Sequence, residues 1–429
     1  MNITDGLINE LKNKNLLILG FGREGKSSLK LLRRLFPDKL IGIADKNTEI
    51  AQTLSGDKNL RFHLGEHHLQ SIKSYDLIFK SPGVSLKDID GFDREKITSQ
   101  TDIFLRYLGR QTIGITGTKG KSTTASLAEH LLRENGKDVV LLGNIGIPAF
   151  DKLEVIDKDT VVVFELSAHQ LQYIHHAPKV AVLLNIFPEH LDHFSDFDAY
   201  KDAKLNIALF QQETDRLVVP VELKDYFKNY KSNISFFNTG EPLDSTGFLL
   251  KGKHNLNNIK AAILAVEPFG VSGADALNAA IKFKPLPHRL EYVGQYGGIR
   301  FYNDSISTVP QSAVAAIKAV GKVDTLILGG YDRGLDYSEL VDFVTDGDKV
   351  STVIFTGPAG RVMYRLFKNR PETNINMFLA EDVKEAFSII KKHTPKGGVC
   401  LLSPAAASYD KYHNFEHRGD VFKSLAREM

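Results

Sequence analysis

Short apolar runs rich in β-favouring residues alternate along the chain with longer stretches whose apolar positions recur every three or four residues. The runs predict strands at Leu16–Leu19, Leu40–Ala44, Asp76–Phe79, Thr112–Thr116, Val139–Leu142, Val161–Phe164 and Val180–Leu184. Further strands are predicted at Arg300–Tyr302, Thr325–Leu328, Thr352–Phe355 and Val399–Leu402. Amphipathic helices fall between them, among them Ser122–Glu134, Tyr200–Phe210, Ala313–Val320 and Val383–Lys392. Strands of this kind alternating with helices imply an α/β protein whose parallel sheets are covered by helices on both faces. No internal repeat or low-complexity segment interrupts the pattern.

Two seams break it. One lies at Tyr107–Arg110, ahead of a glycine-rich loop, and the other at Lys282–Pro287, where Phe-Lys-Pro-Leu-Pro excludes regular structure. They predict domains at 1–108, 109–284 and 285–429, in keeping with a length of 429 residues. Composition adds little to this: 42% hydrophobic, 25% charged, net charge +2 and no block of like charge. No nucleic-acid or membrane footprint is visible. The single cysteine, Cys400, lies in an apolar run and reads as a core residue. The first residues lack the pattern of a signal peptide, and no stretch reaches the roughly 18 apolar residues of a membrane span. A cytoplasmic protein is expected.

The sharpest chemical signal is Gly114-Ile115-Thr116-Gly117-Thr118-Lys119-Gly120-Lys121-Ser122-Thr123, which follows a predicted strand and opens a helix. Glycines let backbone N–H groups converge on phosphate oxygens, and the helix dipole favours the anion. Lys121 is placed to reach β- and γ-phosphates, and Ser122 to hold Mg²⁺. The first glycine falls one position away from the standard spacing. Glu165 carries its own argument, because a carboxylate at the end of a buried parallel strand sits where α/β enzymes bind ligands. On spacing alone, Lys204 is a solvated helix lysine and His190 a structural histidine.

Near the N-terminus, Gly20-Phe21-Gly22-Arg23-Glu24-Gly25 follows a strand, and Asp45 lies twenty residues beyond the last glycine. This is the dinucleotide fingerprint in its expected context, so an NAD-dependent oxidoreductase is the competing reading.

The loop Gly117–Thr123 resembles the ATP loop of the Mur ligase family. Further segments resemble that family in order: Gly143-Asn144-Ile145-Gly146, Glu165-Leu166-Ser167-Ala168-His169-Gln170-Leu171, Asn185–Asp192, Ala203-Lys204, His254–Asn258, Pro287-His288-Arg289 and Asn303-Asp304-Ser305. The C-terminal segments Ser403–Asp410 and Asn414–Gly419 are similar to those of its glutamate-adding members. The resemblance implies a three-domain fold: a Rossmann-like N-terminal domain, a P-loop ATPase-like central domain with a parallel sheet, and a Rossmann-like C-terminal domain. It implies ATP-dependent amide ligation through an acyl phosphate, joining glutamate to UDP-N-acetylmuramoyl-L-alanine in peptidoglycan precursor synthesis, by a monomer.

By the same resemblance, Lys121, Glu165, His190 and Lys204 are the catalytic set. ATP contacts fall on Gly117, Thr118, Lys119, Gly120, Lys121, Ser122, Thr123, Asn258, Arg289 and Asp304. Two Mg²⁺ ions are implied, one served by Ser122 and Glu165, the other by His190 and Lys204. An ammonium has no lone pair for a metal, so Lys204 would have to be carbamylated. The UDP-sugar falls to Gly20, Gly22, Arg23, Glu24, Gly25, Asp45, Lys46, Ser81, Pro82, Gly83, Asn144, Ser167 and Gln170, and glutamate to Thr308, Arg333, Ser408 and Phe415. One departure stands out. After Asn303-Asp304-Ser305 the glutamate-adding members continue Lys-Ala-Thr-Asn, whereas this chain reads Ile306-Ser307-Thr308-Val309-Pro310. D-glutamate is the favoured substrate, with L-glutamate as the alternative.

Overall fold

The computed structural model describes residues 3–89, 91–143, 147–189, 193–241, 247–250, 252–284, 286–370 and 374–429. The chain divides into two compact units, Met1–Phe283 and Lys284–Met429.

The first unit holds two sheets. One comprises β1 (Leu16–Leu19), β2 (Ile41–Asp45), β3 (Leu60–Leu64), β4 (Leu77–Lys80) and β5 (Ile97–Thr98) in the order β3-β2-β1-β4-β5. All its pairs are parallel. Every residue of β1 is buried, as an apolar central strand under helices on both faces requires.

The second sheet comprises β6 (Thr112–Thr116), β7 (Val139–Gly143), β8 (Val161–Glu165), β9 (Val180–Leu183), β10 (Arg216–Pro220) and β11 (Asn233–Phe237), in the order β11-β10-β9-β6-β8-β7. It too is parallel throughout. Ile113, Ile115, Val163 and Val182 pack with Leu127 and Leu131 of the helix Lys121–Glu134 on one face. Val162, Phe164 and Leu183 join Phe104 and Ile207 on the other. Because the strands run one way, β6, β8 and β9 deliver the phosphate loop, Glu165 and the Asn185 segment to one edge.

In the second unit, β12 (Glu291–Tyr296), β13 (Ile299–Asn303), β14 (Val323–Gly329), β15 (Val350–Thr356), β16 (Asn376–Ala380) and β17 (Val399–Leu402) form a sheet in the order β12-β13-β17-β14-β15-β16. Only the hairpin β12–β13 is antiparallel; the remaining pairs are parallel. Cys400 is fully buried in β17, and burial pushes its thiol up, so it behaves as a small apolar side chain. Among the described residues no helix is long and apolar enough to cross a membrane.

Helix starts follow caps rather than apolar periodicity. The helix placed at Tyr200 begins at Phe197, because the Asp196 carboxylate accepts from the Ala199 amide. The one placed at Ala313 begins at Pro310, where the missing N–H costs nothing.

The turn after β1 shows what its glycines do. Gly20 has φ +87°, and a Cβ on Gly25 would stand 2.2 Å from the Gly20 carbonyl oxygen. Gly25→Ala should therefore lower stability by about 1–3 kcal/mol through overpacking of helix against strand. A urea midpoint unchanged from wild type would show that this approach is not needed.

Candidate active site

The segment between β6 and the helix Lys121–Glu134 wraps around two left-handed glycines, Gly117 at φ +156° and Gly120 at φ +90°. A Cβ on Gly120 would lie 2.5 Å from Asn258 Oδ1, so Asn258, carried by the helix Lys253–Val266, is packed against the loop. The strand β9 extends into Asn185, which fixes the other side. Its carbonyl accepts from the Thr118 amide (3.0 Å), its Oδ1 from the Lys119 amide (2.9 Å), and its Nδ2 donates to the Lys119 carbonyl (3.0 Å).

Three lysines converge on this loop. Lys121 Nζ donates to the carbonyls of Gly117 (2.9 Å) and Thr118 (3.0 Å). Lys204 Nζ, from the helix Phe197–Leu209, donates to the same Gly117 carbonyl at 3.0 Å. Lys119 Nζ pairs with Glu189 at 2.6 Å. Lys204 is 1% exposed, and its ammonium lies 4.8 Å from the centre of the Tyr200 ring. Tyr200 OH is in turn 3.1 Å from Thr118 Oγ1. Burial first, then the neighbouring Lys121 charge, pull the Lys204 amine down to about 7; Glu189 only partly opposes this.

Glu165 ends β8 at 1% exposure, in register with Ile115 of the loop strand. Ser122 and Thr123 open the helix beside it. Crowded cations around a left-handed glycine loop suit a polyphosphate, and a hydroxyl and a carboxylate are hard oxygen donors that suit Mg²⁺. The residues present thus fit a nucleotide and its metal. His190 and Asn144 lie outside the described residues, and among those described no three His, Cys, Asp or Glu side chains cluster as a metal site.

The N-terminal glycine turn faces a second opening. A cavity of about 170 Å³ is lined by Arg23, Glu24, Pro82, Gly143, Pro148, Ser167 and Gln170. Ser167 and Gln170 form a reciprocal cap, and Gln170 Nε2 donates to Glu24 Oε1 at 3.0 Å. Burial raises the Glu24 carboxyl to about 7, against the Gln170 bond and the charge of Lys80. Burial likewise lowers Lys80 to about 8. Ser81 Oγ donates to the Gly20 carbonyl (2.6 Å), and a Cβ on Gly20 would clash with Val84 and Ser81. The Asp45 carboxylate is used by the turn itself, accepting from the amides of Phe21 (2.6 Å) and Asn47 (2.8 Å). Lys46, Gly22 and Gly83 are exposed, the two glycines with open space where a side chain would be.

In the second unit, Arg289 lies between His288 and Leu290, both at positive φ (61° and 45°). The Asp304 carboxylate is buried, accepts from the Leu290 amide (3.0 Å), Ser307 Oγ (2.5 Å) and Ser403 Oγ (2.8 Å), and is raised by burial to about 6. Arg333 Nη2 donates to the Thr308 carbonyl at 2.5 Å, and Ser305 Oγ to the Phe415 carbonyl at 2.8 Å. Ser408 is buried. The departing residues have local roles: Ser307 binds Asp304, Ile306 N–H bonds the His288 carbonyl (3.1 Å), and Pro310 starts a helix. Arg418, to which no role was given from sequence, is buried and donates to Ser305, Ala406 and Ala407. Lys80 and Tyr200 are further site neighbours, and Asn185 and Glu189 belong to the segment that resembles the family. Lys80 was readable as a charge ending an apolar strand, and Tyr200 as one helical turn before Lys204.

The model for the Mur ligase middle domain matches residues 115–245. The UDP-N-acetylmuramoylalanine–D-glutamate ligase of Clostridium kluyveri is 32% identical over 455 aligned positions, covering 98% of each chain. That of Clostridium acetobutylicum is 30% identical over 458, covering 98% of this chain and 97% of its own. Among solved structures, the MurF ligase of Thermotoga maritima in complex with ADP aligns with TM-score 0.59 at 16% identity, over 97% and 96% of the two chains. MurC of the same organism aligns with TM-score 0.55 at 16% identity, over 97% and 100%. These two likenesses concern the fold. The oxidoreductase reading gains nothing from any of them, and Asp45 is committed to its own turn.

The Lys204 amine makes a pH prediction. Its folded pKa lies below its unfolded one, so its burial penalty is fully present below about pH 7 and is relieved as pH rises towards 10.5. In CO₂-free buffer Lys204→Met should therefore stabilise the chain relative to wild type more at pH 6.5 than at pH 9. Urea denaturation at the two pH values checks this; an equal effect at both contradicts it.

Proposed function

The chain belongs to the Mur ligase family and is an ATP-dependent ligase; from that premise we propose that it joins D-glutamate to UDP-N-acetylmuramoyl-L-alanine in the cytoplasm, as a monomer. The observation that carries the reading is the convergence of Lys119, Lys121 and buried Lys204 on one glycine loop, with Glu165 at the adjoining strand end. The full-length relatives named for D-glutamate supply the substrate.

A carboxylate oxygen is a poor leaving group, so the alanyl carboxylate must first accept the γ-phosphoryl group of ATP. The amine of glutamate then attacks the acyl phosphate carbon, forming the amide and releasing phosphate. Loop amides and Lys121 hold the transferring group and offset its charge, which is where most of the rate enhancement of such transfers resides. Bound Mg²⁺, held by Ser122, Glu165, His190 and a carbamylated Lys204, would neutralise phosphate oxygens. Lysine amines attack CO₂ only when unprotonated, and burial brings the Lys204 amine down to about 7, so roughly half of it is in that form at neutral pH. In this reading residues 1–108 bind the UDP-sugar, 109–284 ATP and 285–429 glutamate, with Thr308, Arg333, Ser408 and Phe415 about the amino acid and Asn258, Arg289 and Asp304 about the nucleotide. The replaced Lys-Ala-Thr-Asn segment keeps L-glutamate as the second reading.

Phosphate release should require UDP-N-acetylmuramoyl-L-alanine and D-glutamate together. Lys121→Ala should lose about 3 kcal/mol of transition-state stabilisation, roughly a hundredfold in kcat. A kcat/KM at least tenfold higher for L-glutamate would move the assignment to the second reading. Near-normal turnover by Lys121→Ala would remove the loop from the chemistry.

A further inference from the structure

A cavity of about 630 Å³ opens in the first unit, on the side of the central sheet away from the phosphate loop. Of the residues that line it, Arg110 comes just before β6, Ala177 before β9, Asp215 before β10 and Lys231 before β11. Since those strands are parallel, the cavity sits at their amino ends, whereas the loop, Glu165 and Asn185 gather at the carboxyl ends. Its volume is that of a small-ligand site, about 300–1,000 Å³.

The walls are of two kinds. Leu105, Leu209, Phe210 and Tyr230 supply apolar surface, with Leu209 left 53% exposed and Phe210 37%. Arg106, Arg110 and Lys231 line the same space against one carboxylate, Asp215, which Arg110 and Lys179 already pair. Arg106 and Arg110 each spend one Nη on a carboxylate, which leaves further N–H groups for a ligand. The polar parts are fixed in advance. The buried Asp102 carboxylate holds the His176 ring (Nδ1 at 2.9 Å) and the His175 amide (2.7 Å). Buried Gln211 donates to the carbonyls of Pro178 (2.9 Å) and Arg216 (3.0 Å) and accepts from Ser232 Oγ (2.8 Å).

Apolar and aromatic walls beside surplus guanidinium and ammonium groups suit a molecule with an aromatic body and an anionic group. We propose that this cavity is a second ligand site, for a small aromatic carboxylate, sulfonate or phosphate, whose occupant acts on turnover through the helix Phe197–Leu209. Lys204 lies five residues before Leu209 on that helix, about 7.5 Å of helical rise. A ligand seated against Leu209 and Phe210 thus bears on the lysine beneath Gly117 without approaching the nucleotide. The effect on turnover, though not the site itself, rests on the ligase reading above.

Fluorescence titration of the full chain with 8-anilinonaphthalene-1-sulfonate tests the site. The dye should bind saturably at one per chain, with a Kd that saturating ADP and Mg²⁺ move less than twofold. Lys231→Glu and Phe210→Ala should each weaken it at least fivefold; both side chains are exposed, and an unchanged melting temperature would show the fold intact. N-phenyl-1-naphthylamine, the same body without the sulfonate, should bind at least fivefold more weakly and ignore Lys231→Glu. Saturating sulfonate should shift kcat of the wild type at least twofold and that of Lys231→Glu much less. Displacement by ADP, or equal affinity in wild type and both variants, would overturn the site. Dye affinity that falls as the chain dimerises would assign the cavity to a second copy instead and overturn it too. Specific binding with kcat unmoved would overturn the coupling to the Lys204 helix, and a chain that binds the dye as expected but turns over no substrate would overturn the ligase reading alone.

Discussion

The Gly117 carbonyl oxygen accepts from two lysine ammoniums at once, Lys121 at 2.9 Å and Lys204 at 3.0 Å. Placing two cations on one oxygen is unfavourable unless an anion completes the group, since like charges this close repel by several kcal/mol at the dielectric of a protein surface. The surrounding fold maintains the arrangement. Left-handed glycines bend the loop, Asn185 clamps it from β9, Asn258 packs on it, and Tyr200 ties Thr118 to the helix that carries Lys204. The site is strained in charge rather than in backbone, and a bound polyphosphate would relieve it.

Parallel topology puts this arrangement where it is. With β6 flanked by β8 and β9, the loop, Glu165 and Asn185 arrive at one edge without any long excursion of chain. The same logic brings the N-terminal glycine turn, Ser81 and Glu24 to the carboxyl ends of β1 and β4. The Glu24–Gln170 bond then joins the first sheet's ligand edge to the second's.

Central strands were legible because burial on both faces leaves an unbroken apolar run, as in β1, β6, β8 and β17. The strands absent from that pattern are β3, β5, β11, β12 and β16, all at sheet edges, together with β10. Edge strands expose a face and mix polar residues into the run, as Leu60–Leu64 (Leu-Arg-Phe-His-Leu) and Asn233–Phe237 do. The phosphate loop was equally plain, since its glycines and lysines are contiguous. Contacts made by folding were not. Nothing local in the sequence says that Lys204 is buried, that Asn258 packs on Gly120, or that Asp45 closes its own turn. Resemblance could nominate Lys204, but burial beneath Gly117 is what changes the chemistry of its amine.

We propose that this buried amine is carried as a carbamate, which would convert a cation into an oxygen donor and remove the repulsion at Gly117. ¹³C NMR of the chain equilibrated with ¹³C-bicarbonate reads this directly. The account predicts a carbamate carbon resonance in the wild type that is missing from Lys204→Arg. A wild-type chain that turns over substrate at full rate with no such resonance would contradict it.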